Sequence, residues 1–149
     1  VAYLVDTNLL VRLAQPHHPL NAIARLALDA LRDRGEDMCI TSQNLIEFWG
    51  VATRPVDSLN GLGITPEKAD QELTQLEGFF RLLPDVSSIY PNWRRLVVGA
   101  RVSGRQVHDA RLVAVMLAHD ISHLLTFNTS DFKRYRGVTV IHPQEVVSL

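Results

Sequence analysis

The sequence predicts an α/β fold built on a mainly parallel sheet of about five strands, folded as one domain, 1–149. Two observations carry this. Short apolar runs, each suited to one buried strand, alternate with longer stretches in which apolar residues return at three- and four-residue steps. The chain has 149 residues, which fits a single domain able to bury roughly 70% of its unfolded surface.

The elements follow in order. Tyr3-Leu4-Val5 reads as a buried strand that ends at Asp6. Leu9, Leu10 and Leu13 mark a short helix, and Pro16-His17-His18-Pro19 breaks it. From Asn21 to Arg34 the residues Ile23, Leu26, Ala27, Ala30 and Leu31 lie on one helical face, closed by Gly35. Met38-Cys39-Ile40 is a second strand. Thr41-Ser42 then caps a helix over about Gln43–Thr53, which stops before Pro55. Asn60-Gly61 and Gly63 are turn residues in the loop that follows. Thr65-Pro66 opens a helix carrying Ala69, Leu73, Leu76 and Phe80. Arg81-Leu82-Leu83 is a third, weak strand, and Ser87 or Ser88 begins a helix through Trp93 to Ala100. A strongly apolar helix follows Gln106. His123 to Asn128 is a fourth strand, Thr129–Phe132 a polar turn or short helix, Val138–Ile141 a fifth strand, and Glu145-Val146-Val147 a short tail.

Composition narrows the class. At 46% hydrophobic and 21% charged, the chain is ordinary for a globular domain. No apolar run approaches the ~20 residues of a membrane span, so no membrane partner is expected. Asp6 interrupts the first apolar stretch, which argues against a secretory signal. Cys39 is the single cysteine. It excludes an internal disulfide and a cysteine-rich zinc site, and fits a reducing cytoplasm. The net charge of −1 gives no global basic field, so attraction to a nucleic acid has to be local.

Four acids stand in anomalous places. Asp6 ends the first strand. Glu47 sits on an apolar helix directly after the second. Asp109 opens the helix that leads to the fourth, and Asp131 follows the fourth by a few residues. Each alone has a plain explanation as a cap, turn or first-turn acid. Together they differ: segments that leave parallel strands emerge at one edge of the sheet, where ligands bind. Carboxylates gathered in one crevice repel, so one keeps its proton or a cation neutralises them. Oxygen donors without Cys or clustered His suit Mg²⁺, with Mn²⁺ as its substitute, better than Zn²⁺. A water on such an ion is a nucleophile for phosphate. Thr7, Asn8, Thr126, Asn128 and Ser130 are placed to hold the carboxylates by hydrogen bonds.

Leu4-Val5-Asp6-Thr7-Asn8 resembles the first motif of PIN-domain ribonucleases. Ser42-Gln43-Asn44-Leu45-Ile46-Glu47-Phe48 resembles the second, Val107-His108-Asp109-Ala110 the third, and Leu125-Thr126-Phe127-Asn128-Thr129-Ser130-Asp131-Phe132 the fourth. The resemblance runs through the chain in order and spacing. It implies a three-layer α/β/α sandwich and a Mg²⁺- or Mn²⁺-dependent endoribonuclease with Asp6, Glu47, Asp109 and Asp131 as catalytic metal ligands. Domains of this size in the family resemble the VapC-like toxins of bacterial toxin–antitoxin pairs. That implies an RNA substrate, a cognate antitoxin, a homodimer and a larger complex with the antitoxin.

Further residues are weighed beside these. Arg94, Arg95, Arg101 and Arg105 cluster before Asp109, and Arg12, Arg54, Lys133, Arg134 and Arg136 lie near the ends of motif segments. They read either as a solvated charged surface or as phosphate contacts, with Arg94, Arg95, Arg105 and Lys133 as the candidates for the latter. His17 and His18 read as loop residues, and Trp49 and Trp93 as core. The Glu67–Phe80 helix is a candidate dimer surface. Competing readings are a PIN-fold nuclease outside toxin–antitoxin systems, a non-catalytic RNA-binding module, and a receiver-like domain with Asp85 as phosphoacceptor.

Overall fold

The computed structural model describes residues 1–58 and 61–148. Asn60 of the expected Asn60-Gly61 turn lies outside them. The described elements are β1 (Ala2–Val5), α1 (Thr7–Leu13), α2 (Asn21–Asp33), β2 (Asp37–Thr41), α3 (Ser42–Thr53), α4 (Pro66–Phe79), β3 (Arg81–Leu83), α5 (Ile89–Gly99), α6 (Gln106–Ala118), β4 (His123–Leu125), a 3-10 turn (Thr129–Phe132), β5 (Thr139–Ile141) and α7 (Pro143–Val147).

The five strands form one sheet in the order β3-β2-β1-β4-β5, and every pairing is parallel. β1 is central. The chain runs outward from it through β2 to β3, then crosses to the other side for β4 and β5. The reversal falls between β1 and β4, where a crevice opens beyond the carboxyl ends of the strands. Asp6 follows β1 there and Thr126 follows β4.

Strand side chains alternate between the two faces, as the pleat requires. Val5, Met38, Ile40 and Leu125 pack under α1 to α4 and α7, against Leu9, Leu28, Phe48, Leu76 and Val146. Leu4, Cys39, Leu83 and Leu124 pack under α5 and α6, against Ile89, Leu112, Val113 and Met116. Two cores on one sheet make the three-layer sandwich. Each fully buried Leu, Phe or Met contributes roughly 1.5–3 kcal/mol of transfer free energy.

Local signals set the helix ends. Thr41 caps α3 by accepting from the Asn44 backbone, while Asn44 returns its side-chain oxygen to the Thr41 backbone. Thr65 caps α4 just ahead of Pro66. Gly35, at φ +76°, takes the left-handed turn that ends α2. The segment read as a tail is a helix, α7. His142 accepts from Gln144 N, and Glu145 accepts from the His142 backbone. Its Val146 is buried in the first core. The fourth strand is shorter than expected: pairing stops at Leu125, and Thr126 to Asn128 turn toward the crevice. No helix among the described residues is long and apolar enough to cross a membrane.

Candidate active site

Asp6 is the N-cap of α1, its side chain accepting from Thr7 N at 2.8 Å. Glu47 lies in the second turn of α3, and Asp109 in the first turn of α6. All three line one cleft of about 490 Å³. The amino ends of α1 and α6 face this space, and their dipoles favour negative charge there, while α3 lines it from Glu47 to its C-cap Arg54. Asp131 lies in the 3-10 turn after β4. It is close enough for its charge to be felt by both Asp6 and Asp109.

Asp6 is almost fully enclosed, at 7% exposure. Thr126, completely buried, donates its hydroxyl to Asp6 Oδ2 at 2.7 Å. Asn8 Nδ2 donates to Asp6 Oδ2 at 3.4 Å and to Thr126 Oγ1 at 3.2 Å. The Asn128 backbone N–H completes the Thr126 oxygen at 3.0 Å. Glu47 has its own chain of support. Thr7 Oγ1 donates to Glu47 Oε1 at 2.8 Å, Asn44 Nδ2 donates to Thr7 Oγ1 at 3.0 Å, and Thr41 Oγ1 donates to Asn44 Oδ1 at 2.9 Å. Gln43 joins two of the acid-bearing helices. Its Nε2 donates to the His108 carbonyl at 2.8 Å and reaches Glu47 Oε2 at 3.4 Å. Its Oε1 accepts from Arg111 at 3.0 Å.

Burial pushes the Asp6 carboxyl up to about 6, against the pull of Thr126 and Thr7, and the charges of Glu47 and Asp131 add to the rise. Asp109 is pushed up to about 7, first by burial and then by Asp6, Asp131 and Glu47. Carboxyl groups that destabilise one another's ionised form are short of positive charge. Among the described residues no three His, Cys, Asp or Glu side chains stand as a ready-formed cation cage. The donor set is nonetheless all oxygen: Asp6, Glu47 and Asp109 share one cleft, and Asp131 stands beside its lining rather than in it. That chemistry fits a hard divalent cation, which would remove the repulsion.

The expected supporting residues divide. Thr7, Asn8 and Thr126 bond the acids directly; Asn128 lines the cleft and bonds Thr126. Ser130 makes no hydrogen bond to these side chains among the described residues. Arg105 lines the cleft with Arg12 and Arg54. Arg94 and Arg95 line a different hollow on α5, with Tyr90, Pro91 and Val98, and Arg95 is bonded to Asn92. Lys133 is exposed just past the 3-10 turn. Asp85, considered as a phosphoacceptor, bonds Ser42 at 2.7 Å and pairs with Arg111 at 3.5 Å. His18 accepts from Leu20 N. Trp93 packs against the second core and donates to the Val107 carbonyl, whereas Trp49 is only half-buried.

Gln43 and Asn44 were not foreseen in these roles. The signal was a polar pair at the start of an otherwise apolar helix. A larger cleft, about 810 Å³, lies elsewhere, between α2 and α4, with Leu13, Leu26, Leu76 and Phe79 on its walls.

The family model described as PIN domain matches residues 3–138. Ribonuclease VapC48, from two strains of Mycobacterium tuberculosis, is 28% identical over 95 residues, covering 62% of this chain and 63% of that protein. The chain thus spans somewhat less than two thirds of the length of the curated relatives it matches. VapBC2 from Rickettsia felis, solved bound to a DNA fragment from its promoter, superposes with a TM-score of 0.67 at 16% identity, covering 95% of this chain and 98% of the other. VapBC-1 from nontypeable Haemophilus influenzae gives 0.67 at 14% identity, covering 97% and 99%. At such identities the likeness is one of fold.

Proposed function

The chain belongs to the PIN domain family, and from that premise we propose that it is a metal-dependent endoribonuclease, the toxin of a toxin–antitoxin pair. The observation that carries the reading is the convergence of Asp6, Glu47 and Asp109 on one cleft at the reversal point of the sheet. Asp6, Glu47 and Asp109 would hold Mg²⁺ or Mn²⁺, with Asp131 beside them. When bound, the ion supplies an acidified water as nucleophile and neutral ground for the scissile phosphate.

The chain's own residues do the positioning. Thr126 and Asn8 fix the rotamer of Asp6, so its oxygens do not have to be organised when the ligand arrives. Thr7 and Gln43 hold both oxygens of Glu47. The bond from Gln43 to the His108 carbonyl sets α3 against the first turn of α6, and so Glu47 against Asp109. The α2–α4 groove, with Leu26 and Phe79 exposed on its walls, suits the apolar face of an antitoxin segment.

The test is cleavage of total bacterial RNA by purified protein with Mn²⁺, beside Asp6→Asn and an EDTA control. Discrete fragments from wild type alone support the reading. The absence of both cleavage and divalent-ion binding in calorimetry overturns it. Size-exclusion chromatography of the protein alone and co-expressed with the product of a neighbouring reading frame tests the dimer and the antitoxin.

A further inference from the structure

Gly50 stands on the wall of the acidic cleft, inside α3, between Glu47 and Arg54. A glycine in a helix interior weakens that helix relative to alanine. Packing does not call for it, because a Cβ built at Gly50 meets no atom within 4 Å. Its backbone is ordinary right-handed helix, which any residue adopts. The space a side chain would fill there is the cleft itself.

The same wall carries Arg12, Arg54 and Arg105. Other arginines are tied to carboxylates: Arg32 to Asp29, Arg81 to Asp37 and Arg111 to Asp85. Among the described residues no ion pair joins the three cleft arginines to an acid, although three acids share their cleft. Arg12 donates to Gln15, and its Nε is buried with no partner among the described residues. Gly50 and Arg54 follow Glu47 by about one and two helical turns, ~4.5 and ~10.5 Å along the axis. Arg105 precedes Asp109 by one turn, ~6 Å. Cationic groups thus flank the acids from three elements, and an open strip of helix lies between two of them.

We propose that Gly50, with Arg12, Arg54 and Arg105, forms the track for the backbone of the RNA strand that is cut. The missing side chain at Gly50 lets the ribose–phosphate chain pass against α3. The arginines take the phosphates on either side of the bond that is cut. This rests on the nuclease reading of the acids and adds to it the path of the substrate and the residues that hold it. Arg94 and Arg95, on α5, lie off the track.

The experiment is fluorescence anisotropy in Mg²⁺ with a labelled single-stranded oligouridylate, using the Asp6→Asn protein as parent so that the probe stays whole. Gly50→Leu in that background is expected to bind at least ~10-fold more weakly while its melting temperature does not fall. Arg54→Gln and Arg105→Gln are each expected to flatten the dependence of log affinity on log salt by about 0.7, the value for one single-strand phosphate contact. Arg94→Gln with Arg95→Gln should leave affinity and slope as in the parent. The arginine variants decide the matter if Gly50→Leu does not fold. Parental affinity in Gly50→Leu, or parental slopes in both cleft-arginine variants, overturns the track. A parent that binds no RNA, from a wild type that cuts none, overturns the nuclease reading itself, and the track with it.

Discussion

Thr126 donates its hydroxyl to Asp6 Oδ2 over 2.7 Å, across a sequence separation of 120 residues. The two positions follow neighbouring strands, β4 and β1, and the bond closes the floor of the acidic cleft. It opposes the rise that burial imposes on the Asp6 carboxyl.

Thr126→Val removes that donor at nearly constant volume. A buried carboxylate then loses one of its few partners, and the expected loss of stability is about 1–3 kcal/mol at pH 8. At pH 5, below the value of about 6 for Asp6, the carboxyl is mostly protonated and the loss should shrink. Urea unfolding at the two pH values checks this. An equal loss at both would mean that Thr126 acts by packing alone.

The acids also set a pH dependence. Asp6 at about 6 and Asp109 at about 7 both bind a proton more tightly in the folded protein than in the unfolded chain. Stability from these groups is therefore greatest below about pH 4, falls as pH rises through 6 and 7, and stays low above. For the fully enclosed Asp6 the cost is ~3 kcal/mol. With EDTA the melting temperature should be lower at pH 8 than at pH 5. Saturating Mn²⁺ should raise it at pH 8 and scarcely at pH 5. Calorimetry that finds no effect of Mn²⁺ at pH 8 would contradict the cation assignment.

Asp6→Asn should separate stability from chemistry. It removes a buried charge but leaves one oxygen where Asp6 has two, so either Thr126 or the Thr7 backbone N–H loses its acceptor. The two effects oppose, and the metal-free variant at pH 8 is expected to lie within about 1–3 kcal/mol of wild type. RNA cleavage should fall to background, as it should in Glu47→Gln and Asp109→Asn. Chemical denaturation and a gel-based cleavage assay read the two effects independently.

Gln43→Met keeps the bulk of the side chain and removes its amide. The link between Glu47 and the His108 carbonyl is then lost. Support of this kind around a metal site is worth roughly 10- to 100-fold in affinity. Mn²⁺ titration should show that drop while the melting temperature without metal changes little.

What could be read from the sequence follows from what is local. β1, β2 and their acids announce themselves because a strand's apolar run and the polar residue ending it are neighbours in the chain. Thr41 as a cap, Pro66 at a first turn and Gly35 as a stop are local in the same way. The supporting roles of Gln43 and Asn44 are not legible in the sequence because their partners, the His108 carbonyl and Thr7, lie 65 and 37 residues away. Arginines posed the same difficulty. Arg94 and Arg95 precede Asp109 in sequence and suggest the same edge, yet α5 carries them to another hollow. Arg12 and Arg54 reach the cleft because α1 and the end of α3 border it. The α7 helix reads as a tail in the sequence because its cap is a histidine, His142, rather than a residue usual at that position.

Cys39 lies in β2 with no exposed surface, and its thiol is pushed up to about 11, chiefly by burial. It is the only cysteine in the chain. A thiol reagent therefore has one target and reaches it only when the middle of the sheet comes apart. The labelling rate of the unmodified protein is then a clock for opening of the whole molecule. It can be read under working conditions, with or without metal, RNA or a partner, and needs no engineered probe.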